Sequence, residues 1–433
     1  MSLRNHRCLS GGFDNNRFTA VLLWAVLLSE PVISAAFARQ RGAAMFMAID
    51  FSAQMQIAVV GCALAALLLT GEFRAVLRSV WKTSAGALFL YYLLCVVSSL
   101  WSPIPIYTLY RAVEFASMFV IVLIVINRSR DFFGAERCAI LLSVLAIACA
   151  ILANLRIQNY TPSIAIFGGN FVTASAAMIF CYCAGEAPRA HSNRRKFLMV
   201  CAALALACVV VSKSSASNIA ACCGFVVAIG LLLRSRGKYF LIIGLLLAIS
   251  FFPLSPVRDF LLPGKTEMEI KTLHGRVHLW EQYTADFIAN PILGRGFAVS
   301  ARMSESYATN THNSFFAVLS GTGIVGIAVV SMGMARGVRE SMKALKARPD
   351  GSIGCIAGLT AGLVNSLSAP VFFEQWHLSS VTFASILAMH LFWMVSRVNQ
   401  PTFGTVPRRW GMGSTRLSGN ARPACELTNL QRE

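Results

Sequence analysis

Arginines and histidines cluster in one late stretch of a chain that otherwise consists mainly of apolar residues. The segment HGRVHLWEQYTADFIANPILGRGF begins at His274, and THNSFFAVLSGTGIVG begins at Thr311. A guanidinium group binds two phosphate oxygens through parallel hydrogen bonds. An imidazole gains or loses a proton near neutral pH. This combination favours recognition of a phosphate-bearing ligand.

The composition places these residues in an integral membrane protein. The 433-residue chain is 56% hydrophobic and 13% charged, whereas soluble domains carry about 25% charged residues. A helix needs about 20 apolar residues to cross the hydrocarbon core. Twelve segments fit that length, so the predicted fold is all-α and polytopic. The predicted spans are centred on residues 18–37, 52–70, 84–101, 112–127, 138–154, 170–185, 197–212, 217–233, 239–254, 314–334, 353–370 and 378–396.

The basic residues alternate between the connections of these spans. The formal net charge is +19, but most lysines and arginines lie in connections that are cytoplasmic when both termini are cytoplasmic. This positive-inside bias is typical of multi-pass membrane proteins. Anionic lipid on the cytoplasmic side accounts for most of the charge, so no nucleic-acid partner is expected.

The chain divides into a membrane domain and a tail. Residues 1–396 are predicted to form one membrane domain, in which a large outer loop, 255–313, joins the ninth and tenth spans. Residues 397–433 are predicted to be a disordered basic cytoplasmic tail. A small-residue pattern near Ala36 resembles a signal-peptide cleavage site, but we expect the first helix to be retained. Most cysteines lie in apolar runs, where they act as small hydrophobic residues.

The outer loop contains a predicted helix from Arg276 to about Ala289. Its pattern has helical periodicity, and Asn290-Pro291 ends it. The predicted apolar face consists of Val277, Trp280, Thr284 and Ile288, with Leu279, Tyr283 and Phe287 beside it. A helix with an aromatic, apolar face suits the membrane interface, so Arg276 is expected at the level of lipid headgroups.

The chain lacks the patterns of several other enzyme classes. It shows no nucleotide-binding loop, no nucleophile elbow and no metal-ligand spacing. The loop's acidic residues are scattered. No metal and no cofactor are therefore expected. An excess of basic residues is predicted outside the membrane, and it suggests a lipid-linked diphosphate as the ligand. These residues are Arg111, Lys213, Arg276, Arg295 and Arg302, together with His274, His278 and His312.

The motifs together resemble the O-antigen ligase/polymerase family. In that family Gly-Arg precedes Trp, Pro-x-x-Gly-x-Gly follows, and His-Asn opens a helix that continues into Gly-x-x-Gly. HGRVHLW, NPILGRGF and THNSFFAVLSGTGIVG supply all four elements in order. SLWSPIPIYTLYRAVEF, from Ser99, further resembles the exopolysaccharide-polymerase branch. The likeness covers roughly residues 90–330, and its motifs are specific only in combination.

The resemblance implies a glycosyltransferase of the bacterial inner membrane. Its donor is a glycan on undecaprenyl diphosphate, and its acceptor is a sugar hydroxyl. His312 is the implied base for that hydroxyl, and Arg276 the implied catalytic cation that stabilises the diphosphate leaving group without a metal. Attack opposite the leaving group would invert the anomeric carbon.

Further cations are candidates for binding the substrate diphosphate. Lys213 occupies a position where many family members carry Arg, and lysine keeps the charge but loses the bidentate fork. Arg111 lies at an outer helix end and has Glu114 as an alternative partner. Arg295 occupies a variable position of the motif. An alternative for Arg276 is an ion pair with a carboxylate of its own helix, Glu281 or Asp286.

Four residues have supporting roles in this interpretation. Asn313 either orients His312 or caps the following helix. Trp280 fits an interface anchor better than a sugar platform. Gly294 and Gly296 fit a turn.

Three functions remain open from the sequence. Polymerisation of exopolysaccharide or O-antigen repeat units is favoured because of the region around Trp101. The second is ligation of O-antigen to lipid A core, which belongs to lipopolysaccharide biosynthesis. The third, a secondary transporter, fits twelve helices, but Glu114 is the only clear acidic candidate within a span and no internal repeat is evident. The expected partners are the lipid-linked glycan, an acceptor glycan or lipid A core, and membrane lipid. A flippase and a chain-length regulator are further candidate partners.

Overall fold

The structure is a computed structural model in which every regular element of the described residues is a helix. The described residues are 20–29, 33, 51–129, 131–156, 170–212, 214–233, 261–262, 276–303, 311–347, 349–369, 371, 373 and 376–398. Lys213, His274, the predicted span at 239–254 and residues 399–433 lie outside them. The predicted all-α class is therefore confirmed for the described part of the chain.

Fourteen α-helices are described. They are α1 (Ala20–Ser29), α2 (Phe51–Thr70), α3 (Glu72–Val80), α4 (Ser84–Val97), α5 (Pro105–Asn127), α6 (Phe132–Arg156), α7 (Asn170–Glu186), α8 (Ser192–Val211), α9 (Ser215–Leu232), α10 (Arg276–Ala289), α11 (Ser300–Met303), α12 (Ser314–Ala347), α13 (Ser352–Asn365) and α14 (Leu378–Val398). Short 3₁₀ turns follow α4 and α7.

Five of these helices are long and apolar enough to cross a membrane. They are α5, most of α6, α7, α9 and α12, and the count rises to six if the bent pair α2–α3 is one span. Helices α4, α13 and α14 are apolar but contribute shorter stretches. The described residues thus contain several membrane-capable helices, and twelve spans with a loop between the ninth and tenth stay a prediction.

Polar contacts at the helix termini define two ends of the bundle. At one end Ser84, which begins α4, donates to Glu340 near the end of α12 (Oγ to Oε2, 2.5 Å). At the other end Ser314, which begins α12, donates its N–H to Ser366 O just after α13 (2.8 Å). The second end also carries the predicted motifs and is called the site end below; the first is the opposite end.

Buried carboxylates join the helices at the opposite end. Arg194 at the start of α8 lies 2.8 Å from Glu136 of α6 and 3.3 Å from Glu186 of α7. Glu186 also accepts hydrogen bonds from Gly351 N and Gly354 N at the start of α13, each 2.9 Å long. A buried carboxylate is stable only with such partners. The prediction of Glu114 as the only clear acidic candidate within a span did not consider these two carboxylates, because the predicted spans 138–154 and 170–185 stop just short of Glu136 and Glu186.

Candidate functional site

The predicted loop helix is confirmed, but part of its predicted apolar face is wrong. Helix α10 runs from Arg276 to Ala289. Tyr283 is fully buried, and the Trp280 ring stacks on Phe316 of α12, with centroids 5.3 Å apart. Ile288 instead is 70% exposed. The helix therefore docks on α12 through its aromatic side chains, and Trp280 acts as a packing anchor between them.

The turn after α10 inserts into a break in helix α12. The backbone of Gly323 has φ 63° and ψ −156°, which is not helical. Such a break frees the N–H groups of residues 324 and 325 and the carbonyls of residues 320 and 321. The turn satisfies all four, because Arg295 N and Gly296 N donate to Ser320 O and Gly321 O, while Pro291 O and Ile292 O accept from Ile324 N and Val325 N. The two glycine motifs thus form one hydrogen-bonded unit.

The glycines of this unit are required by close backbone approach. Gly294 has φ 67°, and a Cβ there would lie 2.5 Å from Gly321 C. A Cβ on Gly323 would lie 2.5 Å from Ile292 O, and one on Gly296 would meet Ser102. Only glycine fits these positions.

Replacing Gly323 with alanine is therefore expected to destabilise the protein by at least about 1–3 kcal/mol, since it adds a clash to a backbone conformation that costs this much for other residues. The midpoint of thermal unfolding in detergent measures the effect. Gly61→Ala is the control, because no atom lies within 4 Å of a Cβ at that position of α2. Equal midpoints for the two variants would contradict the inserted turn.

The connection between α4 and α5 covers the other side of this turn. Trp101 Nε1 donates to Leu293 O (3.2 Å). Ser98 Oγ accepts from Phe297 N (3.0 Å), and Thr108 Oγ1 donates to Phe297 O (3.2 Å). The stretch that begins at Ser99 is thus packed against the glycine turn, although the two are separated by almost 200 positions in the sequence.

His312 lies in a strained position immediately before α12. Its φ is 54°, a left-handed value that few residues other than glycine adopt. The side chain is half-buried. Burial, and secondarily the positive charge of Arg276, lower the pKa of His312 to about 4. The imidazole is therefore neutral at physiological pH, and the Arg276 guanidinium is close enough to influence it.

Asn313 caps helix α12 and ties it to the end of α13. Its Oδ1 accepts from Phe315 N (2.8 Å) and Phe316 N (3.2 Å). Its Nδ2 donates to Leu367 O (3.0 Å). Of the two predicted roles, the structure supports the cap. The cap also fixes the backbone that carries His312.

Buried hydrogen bonds connect the end of α13, next to the Asn313 cap, to the start of α9. Asn365, the last residue of α13, is fully buried and donates to Ser217 Oγ (3.1 Å). Ser217 in turn shares a hydrogen bond with Thr173 of α7 (2.8 Å). Helix α9 begins two residues after Lys213, which is outside the described residues. The sequence does not predict the contacts of the turn at 365–369, because they involve mainly backbone carbonyls, which every residue has.

Arg276 has an electrostatic setting that is unfavourable in the absence of an anion. It is the first residue of α10, where the helix dipole is positive and disfavours a cation. Burial lowers its pKa. Among the described residues none forms an ion pair with it, because Glu281 lies near His278 (3.6 Å) and Asp286 pairs with Arg295. The predicted alternative of an intrahelical ion pair for Arg276 is therefore wrong.

Two other predicted cations are compensated by carboxylates. Arg295 Nη1 lies 2.7 Å from Asp286 Oδ1, an ion pair that links the glycine turn to α10. Arg111 is 7% exposed in α5, and its Nη1 lies 2.8 Å from Glu114 Oε2. The structure thus pairs Arg111 with the partner that the sequence offered.

Arg302 approaches the same group of residues. Its Cζ lies 4.8 Å from the centroid of the Tyr107 ring, and Arg111 Cζ lies 5.6 Å from that centroid. The sequence identified Arg302 as an outer cation but gave it no role. The position of Arg302 in the sequence did not indicate a role, because the contact between Arg302 and Tyr107 forms only when α11 folds against α5.

Comparison with known proteins agrees with the motifs. No curated protein matches the chain. Residues 200–331 match the family model described as O-antigen ligase. The matched segment includes Arg276, His312 and the glycine turn, and it supports a membrane glycan-processing function. The resemblance seen in the sequence is therefore confirmed: residues 200–331 are similar to the O-antigen ligase family.

Proposed function

We propose that the protein is a membrane glycosyltransferase that moves a glycan from undecaprenyl diphosphate to a sugar hydroxyl. The observation that carries the proposal is a neutral, half-buried His312 influenced by a half-buried Arg276 that has no carboxylate partner among the described residues. Both lie in the segment that matches the O-antigen ligase family. A proton acceptor and an anion-binding cation are the two groups that such a transfer needs.

His312 acts as the base in this mechanism. Its neutral imidazole takes the proton of the acceptor hydroxyl as the oxygen forms a bond to the anomeric carbon of the donor. The bond from that carbon to the diphosphate breaks at the same time, and the electron pair leaves with the diphosphate. Attack from the opposite side inverts the anomeric carbon.

Arg276 receives the leaving diphosphate. A guanidinium binds two oxygens at once, and the N-terminal amides of α10 add favourable partial charge at the same place. The bound anion also offsets the positive charge of Arg276 that His312 experiences. Its negative charge therefore favours the imidazolium that forms in the reaction. The substrate thus strengthens the base that acts on it.

The other predicted residues take secondary roles in this proposal. Arg111 and Arg295 remain candidate diphosphate ligands, but each already has a carboxylate partner. Lys213 remains a candidate on the resemblance alone. Asn313, Trp280, Gly294 and Gly296 support the site by fixing the backbone of α12 and α10.

We assign the site end to the periplasmic face of the inner membrane. The two arginines and two lysines of α12 that follow Gly333 lie toward the opposite end, as do Arg189 and Arg194. This arrangement matches the positive-inside bias, with both termini cytoplasmic.

The pH dependence of the reaction tests the base. Burial and Arg276 lower the pKa of His312 to about 4, and the proton-accepting form exists above the pKa. We therefore expect kcat/KM, which reports the free enzyme, to stay level as the pH falls from 7 to about 5 and to decline near pH 4. Weakening the charge with Arg276→Gln should move this decline to higher pH. A wild-type midpoint near 6.5, the ordinary value for histidine, would contradict the assignment.

The acceptor is determined by a reconstitution experiment. Purified protein is given an oligosaccharide on a polyprenyl diphosphate, with or without lipopolysaccharide core. We expect a ladder of longer lipid-linked chains, which is the product of a polymerase. Transfer only to the core would instead identify a ligase, and transport that requires an ion gradient without any transfer would overturn the proposal.

A further inference from the structure

The indole N–H of Trp280 is a hydrogen-bond donor that the fold does not use. Its Nε1 atom is buried and has no hydrogen-bond partner among the described residues. Trp101 Nε1, in contrast, donates to Leu293 O (3.2 Å). Buried polar atoms normally have a partner, so the Trp280 N–H is a candidate donor to an acceptor atom of a ligand.

The surroundings of Trp280 distinguish it from a second indole of this kind. Trp376 Nε1 is also buried without a hydrogen-bond partner among the described residues. Trp376, however, is 1% exposed, and its ring packs edge-on against Phe115 with centroids 5.1 Å apart. Trp280 is only half-buried, so part of the residue reaches the surface. Of these two indoles, Trp280 alone combines an unused donor with access for a ligand.

Trp280 shares a face of α10 with Arg276. Residues four positions apart are neighbours on a helix surface, and a helical side chain leans toward the N-terminus of its helix. The indole therefore leans toward the first turn of α10, where Arg276 lies. Among the described residues no carboxylate forms an ion pair with Arg276. An uncompensated cation and an unused N–H donor thus lie one helical turn apart.

The contact with α12 holds the indole next to the segment that carries His312. The rings of Trp280 and Phe316 are stacked, with centroids 5.3 Å apart and an angle of 19° between their planes. Phe316 N donates to Oδ1 of Asn313 (3.2 Å), the residue after His312. Ring stacking therefore fixes the indole without using its N–H group. A binding donor needs this kind of rigid support.

We propose that Trp280 is a further substrate-binding residue, whose indole N–H donates to an oxygen of the diphosphate that Arg276 binds. This inference rests on the function proposed above and adds a second donor for the same leaving group. An indole N–H carries no net charge, so it adds a donor beside Arg276 without repelling the guanidinium. Hydrogen bonds to charged oxygens are stronger than those to neutral ones. The bond therefore strengthens as negative charge develops on the leaving diphosphate.

Binding of inorganic pyrophosphate to the purified full chain in detergent tests the proposal without turnover. Trp280→Phe keeps an aromatic ring that can stack on Phe316 but removes the N–H group. Its affinity for pyrophosphate is expected to fall by about 10- to 100-fold, the usual loss for a hydrogen bond to a charged group. Trp81→Phe is the matched control, because Trp81 is 46% exposed and lies three residues before Ser84 at the opposite end. This variant should bind pyrophosphate as the wild type does.

A second variant separates the N–H group from the packing of the ring. Phe316→Leu disturbs the stacked contact but keeps the indole N–H, so its loss of affinity should be smaller than that of Trp280→Phe. A larger loss in Trp280→Phe supports the indole donor. Equal losses in the two variants would show that packing alone is responsible and would overturn the proposal.

The remaining outcomes separate this inference from the proposed function. Unchanged pyrophosphate affinity in Trp280→Phe overturns the inference, as does a wild-type protein that binds no pyrophosphate. If the wild type transfers no glycan but its binding of pyrophosphate depends on the indole N–H, the proposed function fails and the donor stands. If the wild type transfers glycan and Trp280→Phe binds pyrophosphate normally, only the role of Trp280 fails.

Discussion

Replacing His312 with asparagine is expected to lower kcat for glycan transfer by about 10²- to 10⁴-fold, the usual contribution of a general base. Asparagine is chosen because it tolerates a positive φ better than most residues, and the backbone of His312 has φ 54°. Its amide cannot take a proton. The variant should therefore lose the base while keeping the backbone at the start of α12. Single-turnover transfer with purified protein measures the effect.

Two measurements separate this loss from a structural defect. His278→Asn removes an imidazole whose side chain is 71% exposed on α10, and it should transfer glycan at the wild-type rate. The thermal unfolding midpoint of His312→Asn should stay close to that of the wild type. If His312→Asn transfers glycan at the normal rate, the base is another group and the proposed mechanism fails at its first step.

The local elements of the site could be predicted from the sequence. Helix α10 begins and ends where its periodicity and Asn290-Pro291 predict. The Gly294-x-Gly296 turn was also predicted, because glycine spacing is a local signal. The helix that begins at Ser314 was found as an apolar run. These features depend on neighbours in the chain.

The contacts that assemble the site could not be predicted in the same way. Nothing in GTGIVG indicates that its helix opens to receive the backbone of residues 291–296, because the hydrogen bonds involve main-chain atoms and carry no side-chain signal. The connection around Trp101 contacts the turn from a distant part of the sequence. Part of the predicted apolar face of α10 is wrong, since Ile288 is exposed, whereas Tyr283, which was predicted beside that face, is buried. Periodicity gives a face but does not say which part of it meets a partner.

Ion pairing was the least predictable feature. Arg295 and Arg276 looked similar as outer cations, yet Asp286 compensates the first and not the second. The difference arises because the glycine turn brings Arg295 back along α10, nine residues from its partner. A cation that the fold leaves without a carboxylate is a stronger functional candidate than one that it pairs, because an uncompensated, partly buried charge lowers stability unless a ligand neutralises it.

This argument makes Arg276 the subject of the second large effect. Arg276→Ala is expected to lower transfer by about 10²- to 10³-fold, as does loss of one oriented transition-state donor in other enzymes. Arg276→Lys should recover part of the rate, since it keeps the charge but loses the bidentate fork. Arg339→Ala, at an exposed position of α12, serves as the control for loss of a positive charge.

Arg276→Ala is expected to lower activity without lowering the stability of the protein. Arg276 places a cation at the positive end of the α10 dipole, and such a charge costs about 0.3–1 kcal/mol. Arg276→Ala removes both this unfavourable interaction and the half-buried charge itself. The unfolding midpoint of the variant in detergent should therefore equal or exceed that of the wild type. A residue retained only for structure would show the reverse, with a lower midpoint and nearly normal transfer. That result would remove Arg276 from the mechanism, whereas lost transfer in an equally stable protein would support its role in binding the leaving diphosphate.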